Sequence, residues 1–398
     1  MTKAFTGLRV IDMTHVLAGP FASYQMAVLG AEVIKVENPD DPDQSRFQGS
    51  DRAMSNAGMG TAFLAQGSQK RAMAVDLKTA EGVAILKKLV ATADVFVENY
   101  RPDAFRKLGL GYEDVARINP GIVYCSISAF GKDGPRGHLT AYDNVIQAVA
   151  GMMAMNSHLD DGRPLKTGSP VVDYATGTTA AFAISAALYQ RERNGGIGQH
   201  IDVSMLDVAL ILCNSHIVGH TWNGWHPEPK GNRFPFATLG AYEASDTLLM
   251  IAASNLRQQR RMWEALGRPD MVKENNDQRL DGYQEEFDLL TEIFATRTAD
   301  EWEAFLNEHR VPAARVRRME EALADPQIAH RGFLHTHDDP ASMANGLRVP
   351  VSAFRLSQSP AGITFAPQPV GASTDDILHE LGFGREEIDA MRRSGAIC

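Results

Sequence analysis

The chain has 398 residues, 44% of them hydrophobic and 22% charged, so it can bury a large core and exceeds one ordinary domain. A formal net charge of −10 and a pI of about 5.7, with no basic run, argue against nucleic acid or an anionic membrane surface as a partner. The three cysteines, Cys125, Cys213 and Cys398, form no CxxC pair, which leaves no zinc site or disulfide framework and suits a reducing, cytoplasmic compartment.

The N-terminus lacks the apolar core of a signal peptide, and no apolar run reaches the ~18 residues of a membrane span. Residues 8–13 form a short apolar run suited to a buried strand. Leu17-Ala18-Gly19-Pro20 breaks it, with Pro20 in the first turn of a helix that Gly30 stops. Residues 33–37 are the second strand, so the opening reads as a parallel strand–helix–strand unit. The pattern recurs: strands over 71–77, 94–98 and 122–128, and a helix from 79 to about 91. Such alternation predicts an α/β sheet covered on both faces, with ligands beyond the carboxyl ends of the strands at 14–20, 38–39, 99–102 and 129–135.

Residues 175–189 are small and apolar on nearly every side, which predicts a helix buried in the core. A strand over 200–205 and a further helix follow. Composition shifts near Trp222-Asn223-Gly224-Trp225-His226-Pro227. From there to about 330 the chain reads as a smaller domain, with strands at 237–243 and 247–252 and then charged amphipathic helices. The tail shows short strands over 349–356 and helices over 374–381 and 385–393.

No GxGxxG follows the first strand and no GxxxxGK[ST] occurs, so neither a dinucleotide fingerprint nor a phosphate loop is present. The segment Thr167-Gly168-Ser169-Pro170-Val171-Val172-Asp173 sets a carboxylate between apolar residues at a helix start. Two readings of Asp173 stand side by side. It is an N-cap accepting a helical N–H, or a nucleophile in an apolar cleft where Gly168, Ser169 and Gly177 leave room for substrate. His15 and Asn99 follow strands at the binding edge, and Tyr100 could stack on a base. Trp222 and Trp225 read as junction packing.

At Thr14-His15-Val16-Leu17-Ala18-Gly19-Pro20, Ala31-Glu32-Val33-Ile34-Lys35-Val36-Glu37, Val97-Glu98-Asn99-Tyr100, Leu108-Gly109-Leu110-Gly111-Tyr112 and Asp173, the chain resembles class III CoA-transferases, the formyl-CoA:oxalate and carnitine CoA-transferase family. The likeness extends to Val311-Pro312-Ala313-Ala314 and to the tail segment 374–382. It implies a Rossmann-like large domain built from both chain ends (1–225 and 331–398), a smaller α+β domain (226–330), and an interlocked homodimer. It implies acyl-CoA as substrate, no tightly bound cofactor, no metal, and Asp173 as the catalytic nucleophile. Val16, Leu17 and Ala18 would pack along CoA, and Asn99, Tyr100 and Lys107 would contact its nucleotide half. Arg71 and Ala72 would lie near the adenine or phosphates, and Tyr142 and Asp143 near the thioester.

The same superfamily contains α-methylacyl-CoA racemases, which resemble Ala-Gly-His-Asp where this chain has Thr140-Ala141-Tyr142-Asp143. A phenol with an unperturbed pKa of ~10 is a poor substitute for that proton-transferring histidine. Transfer is therefore the expected reaction, ahead of racemisation or of non-catalytic acyl-CoA binding. Leu17 replaces a glutamine of the oxalate-using type, and the small domain lacks that type's glycine-rich loop. The short form resembles transferases that handle succinyl-CoA and other dicarboxylic acids.

Overall fold

The computed structural model describes residues 2–101, 103–157 and 161–398, which leaves Pro102 of the expected 99–102 strand end outside the description. The chain divides into two compact units. One comprises Met1–Met152, Lys166–His226 and Ile328–Cys398; the other comprises Met153–Leu165 and Pro227–Gln327. The excursion Met153–Leu165 into the smaller unit leaves no trace in composition.

The larger unit is built on strands β1 (Arg9–Met13), β2 (Glu32–Glu37), β3 (Lys70–Ala74), β4 (Val95–Glu98), β5 (Val123–Ser128) and β6 (His200–Ser204). All neighbours pair parallel in the order β3-β2-β1-β4-β5-β6. Connections run outward from β1 in both directions, so the loops after β1 and β4 face one another at the switch point, where ligands of open α/β sheets bind.

Helices α1 (Ala18–Val28), α2 (Ala80–Val90), α3 (Asp143–Val149), α4 (Val171–Arg193) and α5 (Met205–Leu212) surround this sheet. On one face Val10, Val33, Val97, Val123 and Cys125 pack against Ala22 and Met26 of α1, Ala180 and Ile184 of α4 and Val208 of α5. On the other, Ile11, Ile34, Phe96 and Tyr124 meet Ile85 and Leu89 of α2. Ile377 of α6 (Thr374–Glu380) and Ile388 of α7 (Arg385–Arg393) join that second face. The carboxyl-terminal chain thus returns to the unit begun by the amino-terminal one.

By length and composition α4 could cross a bilayer. Here Val172, Thr176, Ala180, Ile184 and Leu188 are buried along one stripe. Its opposite face is open, with Phe182 74% exposed, so uniform apolarity did not translate into burial all round. Gly177 sits where α4 crosses α1, and a Cβ there would lie 2.5 Å from the Ala18 carbonyl oxygen. That glycine permits close helix packing; it does not open space for substrate.

In the smaller unit β7 (Leu239–Glu243), β8 (Leu248–Ala252) and β9 (Ala313–Arg315) form an antiparallel sheet around Trp263, Phe294 and Trp302. The expected tail strand over 349–356 shortens to β11 (Arg348–Pro350), paired with β10 (Leu334–Thr336). Val349 then packs against Tyr24 and Val28 of α1.

Candidate active site

A cleft of about 480 Å3 opens at the carboxyl end of the sheet. The β1 loop from His15 to Ala18, the β4 loop from Asn99 to Arg101, Ser128 and Ala129 at the end of β5, the segment Leu139–Tyr142, and Asp173 line it. Val16, Leu17, Ala18, Asn99, Tyr100, Tyr142 and Asp173 are therefore brought together from four separate stretches of sequence. Asp143 stands directly behind them, buried at 8% exposure.

Asp173 is not the N-cap of α4. The helix begins after Pro170, which places Asp173 on its first turn, and its carboxyl makes no hydrogen bond within the described residues. The cap function belongs to Asp143, thirty residues upstream. Its Oδ2 accepts the backbone N–H groups of Val172 at 2.8 Å and Asp173 at 3.1 Å. Its Oδ1 accepts from Gln147 Nε2, whose side chain in turn holds Thr167 through the backbone N–H and the hydroxyl. A buried carboxylate thus satisfies the open end of α4 and leaves the Asp173 carboxyl free to face the cleft.

Burial, and secondarily the Asp143 charge, push the Asp173 carboxyl up to about 7. Its conjugate base is correspondingly more basic and more nucleophilic than a surface carboxylate.

Asn99 lines the cleft, but its amide is engaged elsewhere. Oδ1 accepts the His15 N–H and Nδ2 donates to the His15 carbonyl, both at 2.8 Å. Asn99 therefore ties the β1 and β4 loops together. Tyr100 sits edge-on to His15, with its hydroxyl 2.6 Å from His15 Nε2. Burial, reinforced by the nearby Lys35 ammonium, lowers the His15 pKa, so the ring is neutral at physiological pH.

Arg71 and Ala72 are not brought to the cleft. The Arg71 side chain runs toward the amino-terminal end of the sheet, paired with Glu32 at 2.6 Å and Glu380 at 2.8 Å. Ala72 is buried, and its N–H donates to Gln368 Oε1. The parallel register decides this outcome: side chains of β3 cannot reach the carboxyl edge from its second and third positions. Lys107 is exposed at the end of the short helix Ala104–Lys107 and does not line the cleft, whereas Arg101 does.

A parallel sheet with a cleft at its switch point, and a carboxyl in the cleft wall free of hydrogen bonds among the described residues, is the arrangement of an α/β protein that binds its ligand beyond the carboxyl ends of the strands. The chain belongs to CoA-transferase family III, whose family model matches residues 5–374. The succinate–glutarate CoA-transferase of Agrobacterium fabrum is 34% identical, over 94% of this chain and 95% of that protein. The succinyl-CoA:glutarate CoA-transferase of Mus musculus is 33% identical, over 99% and 90%. Among solved structures, a CAIB/BAIF family protein from Brucella suis superposes with a TM-score of 0.82 at 29% identity, covering 96% of this chain and 100% of that one. This chain is accordingly a class III CoA-transferase, and enzymes of that kind take CoA thioesters as substrates.

Proposed function

We propose that this enzyme moves CoA from a dicarboxylic thioester such as succinyl-CoA to a dicarboxylic acid such as glutarate, through covalent adducts of Asp173. The observation that carries the reading is the Asp173 carboxyl itself: half-buried, without a hydrogen-bond partner among the described residues, and in the lining of the switch-point cleft. The substrate class is supported by the names of relatives that match nearly the whole chain.

In the first step an Asp173 carboxylate oxygen attacks the thioester carbonyl. The C–S bond breaks and the CoA thiolate leaves behind a mixed anhydride. The thiolate then attacks the Asp173 side-chain carbonyl, releasing succinate and forming an aspartyl-CoA thioester. The acceptor carboxylate attacks that thioester, expelling the thiolate and forming a second anhydride. Attack of the thiolate on the acceptor's acyl carbon gives the new acyl-CoA and regenerates the Asp173 carboxylate. Fixed geometry and exclusion of water protect both anhydrides from hydrolysis.

Val16, Leu17 and Ala18 would lie along the pantetheine and Tyr142 at the thioester end. Arg101, on the cleft wall, would supply a cation for the phosphates, and Lys107 a second from the helix that follows; Arg71 and Ala72 lie away from the cleft lining. The exposed Phe182, Tyr189, Ile211, Leu212 and Trp222 support a second copy of the chain as the partner that covers them.

The test is exchange between succinyl-CoA and glutarate, followed by chromatography of the CoA esters. Glutaryl-CoA should appear with the unmodified enzyme and vanish with Asp173→Ala, which should still fold and bind CoA. A variant that keeps most of its transfer rate would refute the covalent route. An unmodified enzyme that equilibrates the α-carbon of a 2-methylacyl-CoA with solvent deuterium, without any acceptor acid, would establish racemisation instead.

A further inference from the structure

Val16 adopts φ +69° in the middle of the β1 loop, a backbone region that β-branched residues avoid. Such a conformation persists only where the surroundings over-determine it. Here all six backbone polar groups of Thr14-His15-Val16 are held by side chains. Asp12 Oδ1 accepts the Thr14 N–H at 2.9 Å, and Lys35 Nζ donates to the Thr14 carbonyl at 2.7 Å. Asn99 takes both backbone groups of His15. The Val16 N–H donates to Asp43 Oδ1 at 3.0 Å, and the Val16 carbonyl accepts from Gln66 Nε2 at 2.7 Å.

Asp43 and Gln66 are 0% and 2% exposed, and neither lines the cleft. Asp43 is itself fixed by Lys35 Nζ at 3.0 Å. The residues that follow Val16, Leu17 and Ala18, form a wall of the cleft and open helix α1.

We propose that Asp43 and Gln66 are positioning residues for the transfer reaction: they hold the Val16 peptide in its left-handed conformation and so set the Val16–Ala18 wall against which acyl-CoA packs. The inference rests on the reading of this cleft as the acyl-CoA site. Without either side chain, Val16 relaxes to negative φ and the wall turns away from Asp173. A glycine at the same position occupies positive φ without strain and no longer needs the clamp.

The test is a double-mutant cycle of Gln66→Met and Val16→Gly, read as CoA affinity by calorimetry and as KM and kcat for acyl-CoA. Gln66→Met keeps the volume; Gln66→Leu serves as the second variant should it not fold. In the Val16 background, removal of the amide should weaken acyl-CoA binding about tenfold, the loss of roughly one buried hydrogen bond. In the Val16→Gly background the same change should have less than about a third of that effect. Equal losses in both backgrounds overturn the positioning role while leaving the site reading intact. An unmodified enzyme with no affinity for CoA overturns both.

Discussion

Beneath the β1 loop, Asp12, Lys35, Glu37, Asp43, Arg46 and Lys70 are all buried and all paired, whereas at the first turn of α4 one carboxyl stands half-buried and alone. Lys70 Nζ lies 2.9 Å from Asp12, Lys35 Nζ 3.0 Å from Asp43, and Arg46 Nη2 2.6 Å from Glu37. Lys70 and Lys35, together with hydrogen bonds from Ser23 and Thr14, overcome the burial that would raise Asp12 and hold its carboxyl far below the usual carboxylate range. Asp173 has the same side-chain chemistry and the opposite fate: burial first, and then the like charge of Asp143, raise its carboxyl, while Asp143 takes up the helix N–H groups. Buried charge that is paired builds the floor; buried charge left unpaired is available for chemistry.

The contrast can be broken most severely at its two ends. Asp173→Asn should lower transfer at least ~1,000-fold, read as glutaryl-CoA formation, with no loss of thermal stability. Its folded pKa of about 7 lies above the ~3.9 of an unfolded aspartate. The folded state therefore binds the extra proton, and stability from this group falls as pH rises from ~4 to ~7. Above that window the asparagine variant should be as stable as the parent or more so. Lys70→Met, by contrast, strands Asp12 and should destabilise the fold by about 3–5 kcal/mol in urea denaturation.

Subtler changes sharpen the same contrast. The rate of transfer at limiting acyl-CoA should rise with pH through about 7, as Asp173 ionises. Asp143→Asn removes the like charge and should shift that acid limb downward; an unmoved limb would mean Asp143 does not feel Asp173. In the smaller unit, Glu286 is buried with no hydrogen-bond partner among the described residues, the Lys273 ammonium stands 4.0 Å away, and burial raises its carboxyl to about 7. Glu286→Gln should stabilise on the order of 1 kcal/mol at pH 8 and make little difference at pH 5. The exposed Arg106–Asp103 pair, on the short helix beside the cleft, should be replaceable without measurable change.

Much of this was legible in the residue order. Strand-like stretches marked all six strands of the large sheet, and their alternation with helices put the β1 and β4 loops at its binding edge. The resemblance singled out Asp173 and the Val16–Ala18 segment. What stayed hidden depends on long-range geometry. Arg71 points to the wrong edge because of strand register. Asp143 caps a helix thirty residues away, where local spacing called for Asp173 itself. That both ends of the Asn99 amide are held by the His15 backbone could not be read from spacing. The left-handed Val16 violates its own propensity, and only Asp43 and Gln66, brought in from other elements, explain it.

The most direct measurement is mass spectrometry of the enzyme after incubation with succinyl-CoA and hydroxylamine. Covalent catalysis through Asp173 predicts a hydroxamate on the peptide that carries this residue, dependent on the acyl-CoA and absent from Asp173→Ala. Continued CoA transfer with no modification at Asp173, or with a modification at another carboxylate, would contradict it.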